Sequence, residues 1–178
     1  LKLPKNFKVV AGTTDSNAGV LATFPERDDG ITILGSTIVV KKFVPKPIQG
    51  EGISNHKLLG NWLCGGASNA GSSVLNKFFT IKDIEELSKQ INPLNSTGLN
   101  LLPLSGKGER FPIDDPQLQP KLEPRPVSDV LYLHALLEGL AKIEAKSWQK
   151  LNELGAELPK KIITIGGGAK NVKWKKIR

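Results

Sequence analysis

The sequence predicts an α/β fold, a mixed β-sheet with helices packed on it, and three observations carry that expectation. Short runs of strand-forming residues end in glycine: residues 31–43 broken at Gly35-Ser36-Thr37, residues 58–64 before Gly65-Gly66, and residues 161–165 before Gly166-Gly167-Gly168. Residues 128–154 carry the clearest helical pattern, an apolar stripe of Leu133, Leu136, Leu137, Leu140, Ile143, Trp148, Leu151 and Leu154. The order of elements is strand, strand, strand, helices, strand, helix, which suits one sheet covered by helices.

In chain order, Lys8, Val9 and Val10 start a strand, Gly12 turns it, and Asp15 ends the turn. Residues 18–23 continue a hairpin or begin a short helix, and residues 25–30 form a polar turn. A break such as Gly35-Ser36-Thr37 inside a strand pattern marks a turn or bulge where the backbone comes close to something. Residues 45–52 read as loop, residues 58–64 as a strand and residues 72–79 as helix. Thr80 with Asp83 three positions on resembles a capping box, and Ile81, Ile84, Leu87 and Ile91 recur at helical spacing. Asn92-Pro93 ends that helix. Residues 103–126 are rich in proline, yet Leu104, Phe111, Ile113, Leu118 and Leu122 offer apolar anchors. The expectation is a long ordered excursion across the surface rather than a free linker. Ser128 and Asp129 suit the start of the long helix, and Gly155 its stop. Trp148 and His134 on it read as packing residues. Residues 161–165 read as a buried type of strand, and residues 169–177 as a final helix.

The composition is that of an ordinary globular domain, 39% hydrophobic and 24% charged. No apolar run reaches the roughly 18 residues of a membrane span, so no membrane partner is expected. The single cysteine, Cys64, makes no internal disulfide, which suits a reducing compartment such as the cytoplasm, or a plastid in a plant. One Cys with the distant His56 and His134 gives no metal site. The formal charge of +8 comes mostly from scattered lysines, without the interleaved aromatics of a nucleic-acid stacking platform. It reads as a solvated surface with some attraction for phosphate, and no nucleic-acid partner is expected. The sequence contains no Met and stops at Arg178 within a helical pattern, so it reads as a piece of a longer protein.

Four glycine-bearing turns beside small polar residues lie at strand ends: Gly12-Thr13-Thr14, Gly35-Ser36-Thr37, residues 65–71 and residues 166–171. Gathered on one edge, they would present N–H groups and hydroxyls to a polyphosphate. None has the P-loop or GxGxxG spacing. A carboxylate such as Asp15, at the end of a turn, can take the proton of a substrate hydroxyl, which is the main chemical demand of phosphoryl transfer to an alcohol. Asp is also a common turn and cap residue, so Asp15 alone decides nothing.

The turn AGTTDS, the stretch WLCGGASNAG, GERFP at residues 108–112 and the closing ITIGGGAKNVKW together resemble the FGGY carbohydrate kinases. The nearest branch is that of the plant and cyanobacterial D-ribulokinase, or xylulokinase-like, proteins. The resemblance covers nearly the whole chain, in order. It implies an actin-like ATPase (ribonuclease H-like) fold, with residues 1–178 as the C-terminal actin-like domain, cut short at its end, and the N-terminal domain absent. It implies a kinase using ATP and Mg2+ to phosphorylate a sugar, D-ribulose first and D-xylulose next. Asp15 falls at the catalytic base. Gly35 and Ser36 match a turn on the nucleotide phosphates, and Gly71 a further backbone contact. Gly167, Gly168 and Asn171 match the adenosine pocket, and Trp174 an aromatic near the base. Glu109 and Arg110 pin the long loop. The family's magnesium-linked acid and most sugar-holding residues belong to the other domain, so this half alone should be inactive. Its expected partners are the sugar, ATP and the missing domain, with a homodimer open. The alternatives are a non-catalytic nucleotide-binding module and, far behind, a nucleic-acid binder on the basic C-terminal run, which steep salt dependence would reveal.

Overall fold

The computed structural model describes residues 6–8 and 12–178. The strand start expected at Val9 and Val10 lies outside the described residues. The elements run α1 (Asp15–Ala22), β1 (Asp29–Leu34), β2 (Ile38–Val44), β3 (Ile53–Leu58), β4 (Asn61–Ala67), α2 (Ser72–Leu75), α3 (Ile81–Gln90), α4 (Asp129–Glu153), β5 (Lys161–Ile165) and α5 (Val172–Ile177), with a 3-10 turn at Gly167–Lys170.

The five strands form one mixed sheet in the order β3-β4-β2-β1-β5. β1 pairs antiparallel with β2 and parallel with β5, and β4 pairs antiparallel with both β2 and β3. β1, β4 and β5 therefore point the same way, and their C-terminal ends share one edge of the sheet.

Side chains alternate between the two faces. Val40, Val44 and Cys64 join Trp148 and Leu151 of α4 on one face, and Leu34 and Ile38 join the larger core built on α4. Ile31 and Leu63 face the other way and pack with Val20 of α1. α4 and α1 thus cover opposite faces. The 25-residue α4 starts at Ser128, whose side chain accepts a hydrogen bond from Leu131 N, and ends just before Gly155. α3 has the expected capping box, Thr80 and Asp83 satisfying each other's backbone N–H.

In the C-terminal half of α4 a polar knot ties four elements, α4, β1, β5 and the end of α5. Arg178 bonds both carboxylate oxygens of Glu144 at 2.5 Å and Thr164 Oγ1 at 2.9 Å. Thr32 Oγ1 donates to Glu144 Oε1 at 2.6 Å and accepts from Trp148 Nε1 at 3.3 Å. Trp148 is core, as its place in the stripe implies.

Four expectations change. Residues 58–64 are not one strand: Leu59-Gly60 turns the chain between β3 and β4. β3 escapes a reading of apolar pattern because it is an edge strand with no fully buried residue. β5 is also an edge strand, half-exposed rather than buried, since nothing pairs beyond it among the described residues. The helix of residues 72–79 shortens to α2. The helix of residues 169–177 splits at Asn171 into the 3-10 turn and α5.

The proline-rich excursion is ordered and anchored. Leu102 and Lys121 form a bridge, as do Ala70 and Leu104. Phe111 is 1% exposed, seated on Gly66 of β4 within the cluster of Val40, Cys64 and Trp148. Replacing Phe111 with Ala should cost about 3–5 kcal/mol, read as a lower denaturant midpoint at an unchanged m-value. A change below 1 kcal/mol would mean that the excursion is not part of the core.

Candidate functional site

The C-terminal ends of β1, β4 and β5 are where α/β sheets place ligands, and three glycine-bearing segments meet there. The β1–β2 turn is closed by Gly35 N donating to Thr37 O at 3.1 Å. Its carbonyls are then taken by the start of α2. Ser72 N (2.9 Å) and Ser72 Oγ (2.7 Å) donate to Gly35 O, and Ser73 N (3.3 Å) and Ser73 Oγ (2.7 Å) donate to Ser36 O. Ile38 N donates to Ala70 O at 2.7 Å. Gly71 is pressed against this turn: a Cβ there would lie 2.5 Å from Thr37 Cα.

From the other side, Gly166 leaves β5 with φ +91°, a conformation that favours glycine. A Cβ on Gly166 would lie 2.6 Å from Leu34 O, and one on Gly168 would lie 2.8 Å from Leu34 Cβ. So the triple-glycine bend leans on the last residue of β1. Ser36 and Gly167 stay exposed on the rim. The structure brings Gly35, Ser36, Gly71, Gly167 and Gly168 together along one edge.

Packing ties three of the expected site residues into the support of this edge. Gly71 is buried, and its backbone supports the turn. Asn171 is already committed: Oδ1 accepts from Lys173 N and Trp174 N, both at 3.0 Å, and Nδ2 donates to Ser88 Oγ at 2.8 Å. It caps α5 and ties it to α3. Trp174 is 2% exposed in the main core, where its ring fills the space under Gly168. It has no open face for stacking. The motif that by resemblance implies an adenosine pocket also builds a cap and its helix.

Asp15 is the first residue of α1, not the end of a hairpin turn. Thr14 caps the helix by accepting Asn17 N, and Asp15 Oδ1 accepts Ser16 N at 2.7 Å, leaving the carboxylate exposed. One turn on, Gly19 lies against Ile165, the last residue of β5. Asp15 therefore serves the same end of the sheet, from the face covered by α1. Beneath it lies a group that sequence reasoning missed: Lys41 of β2, 4% exposed, whose Nζ donates to Asn17 Oδ1. Burial pushes the Lys41 ammonium pKa down, and the Asp15 carboxylate partly offsets this. The adjacent Lys41-Lys42 pair in a strand looks like solvated surface, so nothing in the sequence marks it.

Beside the turn is a small polar cleft of about 340 Å³, lined by Thr37, Asn69, Ser73, Ser105 and Lys107. Glu109 holds its wall. Buried at 4% exposure, it accepts from Ser68 Oγ (2.6 Å), Asn69 N (2.8 Å) and Arg110 N (2.9 Å). Arg110 Nε donates to Ala67 O at 2.7 Å. Both residues pin the loop, as expected. A larger groove of about 890 Å³, lined by Leu21, Phe24, Phe43 and Leu59 among others, lies at the opposite end of β2, away from the glycine turns. Among the described residues no group of three or more His, Cys, Asp or Glu is placed to hold a metal ion. No helix among them is long and apolar enough to cross a membrane.

No protein-family model matches the chain. Solved structures do. The chain is similar to xylulose kinase from Rhodospirillum rubrum, with TM-score 0.74 and 19% identity over 98% of this chain and 38% of that one. It is similar to xylulose kinase from Bifidobacterium adolescentis, with TM-score 0.73 and 22% identity over 90% of this chain and 33% of that one. It is similar to Plasmodium falciparum glycerol kinase with ADP, with TM-score 0.65 and 18% identity over 82% of this chain and 32% of that one. The fold is the actin-like ATPase fold of these sugar kinases. The chain spans about a third of their length.

Burial pushes the Cys64 thiol up to about 11, which removes it from any nucleophilic role at neutral pH. Iodoacetamide at pH 8 should label Cys64 only as fast as the protein unfolds. Labelling at the rate of a free thiol, with the fold intact by circular dichroism, would refute the burial.

Proposed function

We propose that this chain is the nucleotide-binding part of an ATP-dependent sugar kinase, with Asp15 as the base that deprotonates the accepting hydroxyl. The observation that carries the reading is the convergence of the β1–β2 turn and the triple-glycine bend on the sheet edge that Asp15 serves. The resemblance of the motifs and the likeness in fold to xylulose and glycerol kinases support it.

In this reading the exposed Ser36 and the Gly35 turn receive the phosphates, and Gly167 and Gly168 line the path of the nucleoside. Gly71, Asn171 and Trp174 act from behind, keeping the rim in place. Asp15, exposed at the start of α1, accepts the hydroxyl proton as the oxygen attacks the γ-phosphorus and the bond to ADP breaks. The rest is positioning and charge stabilisation. Mg2+, expected to accompany ATP, would be held by residues beyond this chain or by the phosphates themselves. The sugar is D-ribulose first and D-xylulose second, on the nearness of the motifs to the ribulokinase branch. The missing domain holds most of the sugar, so this chain alone is expected to phosphorylate nothing. A non-catalytic nucleotide-binding module is the second reading. The exposed carboxylate of Asp15 favours the kinase over it.

In the full-length polypeptide, Asp15→Ala should lower kcat about 10²–10⁴-fold with ATP affinity within a factor of about 3. A panel of ketopentoses, glycerol and gluconate reads the substrate. Wild-type turnover in the variant would remove Asp15 as the base, and tight ATP binding with no turnover on any sugar would favour the module.

A further inference from the structure

Lys41 is a lysine in the wrong place for packing. It sits within β2 and faces α1, where its cross-strand partner Ile31 and same-face neighbour Phe43 belong to the apolar cluster of Val20 and Leu63. Only 4% of it is exposed, and its hydrogen bond among the described residues goes to a neutral amide, Asn17 Oδ1. Burying an ammonium against a neutral partner is costly, and an apolar side chain of similar length would usually be neutral or stabilising there. Asn17 is itself 4% exposed, two residues past Asp15, and its N–H is taken by the Thr14 cap. Lys41, Asn17 and Thr14 thus clamp the first turn of α1 from below.

We propose that Lys41 is a positioning residue for Asp15, fixing the first turn of α1 through Asn17 and drawing the carboxylate toward the end of the sheet by charge. The proposal rests on the reading of Asp15 as the base. Among the described residues, the charged and titratable groups facing the Lys41 ammonium are Asp15 from α1 and His56 from β3. The His56 pKa is lowered by burial first and by the Lys41 charge second. The Lys41 pKa is lowered in turn, so its proton leaves at a lower pH than that of a free lysine. Below that pH the ammonium charge acts on Asp15; above it the amine can still donate to Asn17 Oδ1, but the charge is gone.

The test uses the full-length polypeptide with Lys41→Met, Lys41→Arg and Asp15→Ala. K41M should lower kcat roughly 10- to 100-fold, leave the KM for ATP within about twofold and not lower Tm. Wild-type kcat should fall on the alkaline side below the ordinary lysine range, and K41M should lack that fall. K41R, if it folds, should keep more activity than K41M and lose the alkaline fall as well. Independently of turnover, amide exchange at residues 15–18 should quicken in K41M while α4 is unchanged. Unchanged exchange there, or a K41M enzyme with wild-type kcat and alkaline limb, overturns the proposal. Undiminished turnover in D15A strikes the base reading instead, and the exchange result still decides whether Lys41 holds the turn.

Discussion

The backbone of residues 34–37 is approached at van der Waals limits from two directions. Gly71 lies against Ser36 and Thr37, and Gly166 lies against Leu34. No side chain fits at either point, because a Cβ would meet backbone atoms that cannot move without opening the sheet. Both approaches are fixed by hydrogen bonds or by the strand pairing behind them. Ser72 and Ser73 saturate the turn carbonyls, and β5 runs parallel to β1 up to Ile33 and Ile165. The rim is therefore built from backbone. It can present N–H groups and an exposed serine to a ligand with little rearrangement, the preorganisation that charge stabilisation requires.

Everything behind the rim works to hold that backbone. Trp174 fills the space beneath Gly168, Asn171 caps the helix that carries Trp174, and Ser88 ties Asn171 to α3. Arg178 and Glu144 tie the end of α5 to α4 and, through Thr32, to β1. On the other side Glu109 gathers Ser68, Asn69 and Arg110, keeping the excursion against β4. A segment that looks like a set of ligand contacts thus divides in two. Ser36 and Gly167 face outward, and larger residues a few positions away are spent on packing.

Much of the architecture was legible because it comes from strong local signals. The Thr80–Asp83 box, the Ser128 cap with its long stripe, and the break at Gly35-Ser36-Thr37 each have a mechanism that tertiary context does not override. β3 was illegible because an edge strand has little apolar pattern to show. The candidate edge was legible in its glycines and not in its supports. The motif around Asn171 and Trp174 reads as a pocket or as a capped helix, and the structure adds the cap and the burial of Trp174. Lys41 was invisible, since which face of β2 it takes depends on the pairing with β1, and what covers that face depends on where α1 lands. The fold likeness to xylulose and glycerol kinases holds at about a fifth identity.

The central claim is that the edge formed by residues 34–36 and 166–168 is a nucleotide site. An amide NMR titration of the protein with ADP tests it most directly. The account predicts concentration-dependent shifts centred on Gly35, Ser36, Gly167 and Gly168, with the resonances around Phe24 and Leu59 unmoved. Saturating ADP that leaves the edge silent, or shifts only the groove at the opposite end of the sheet, would contradict it.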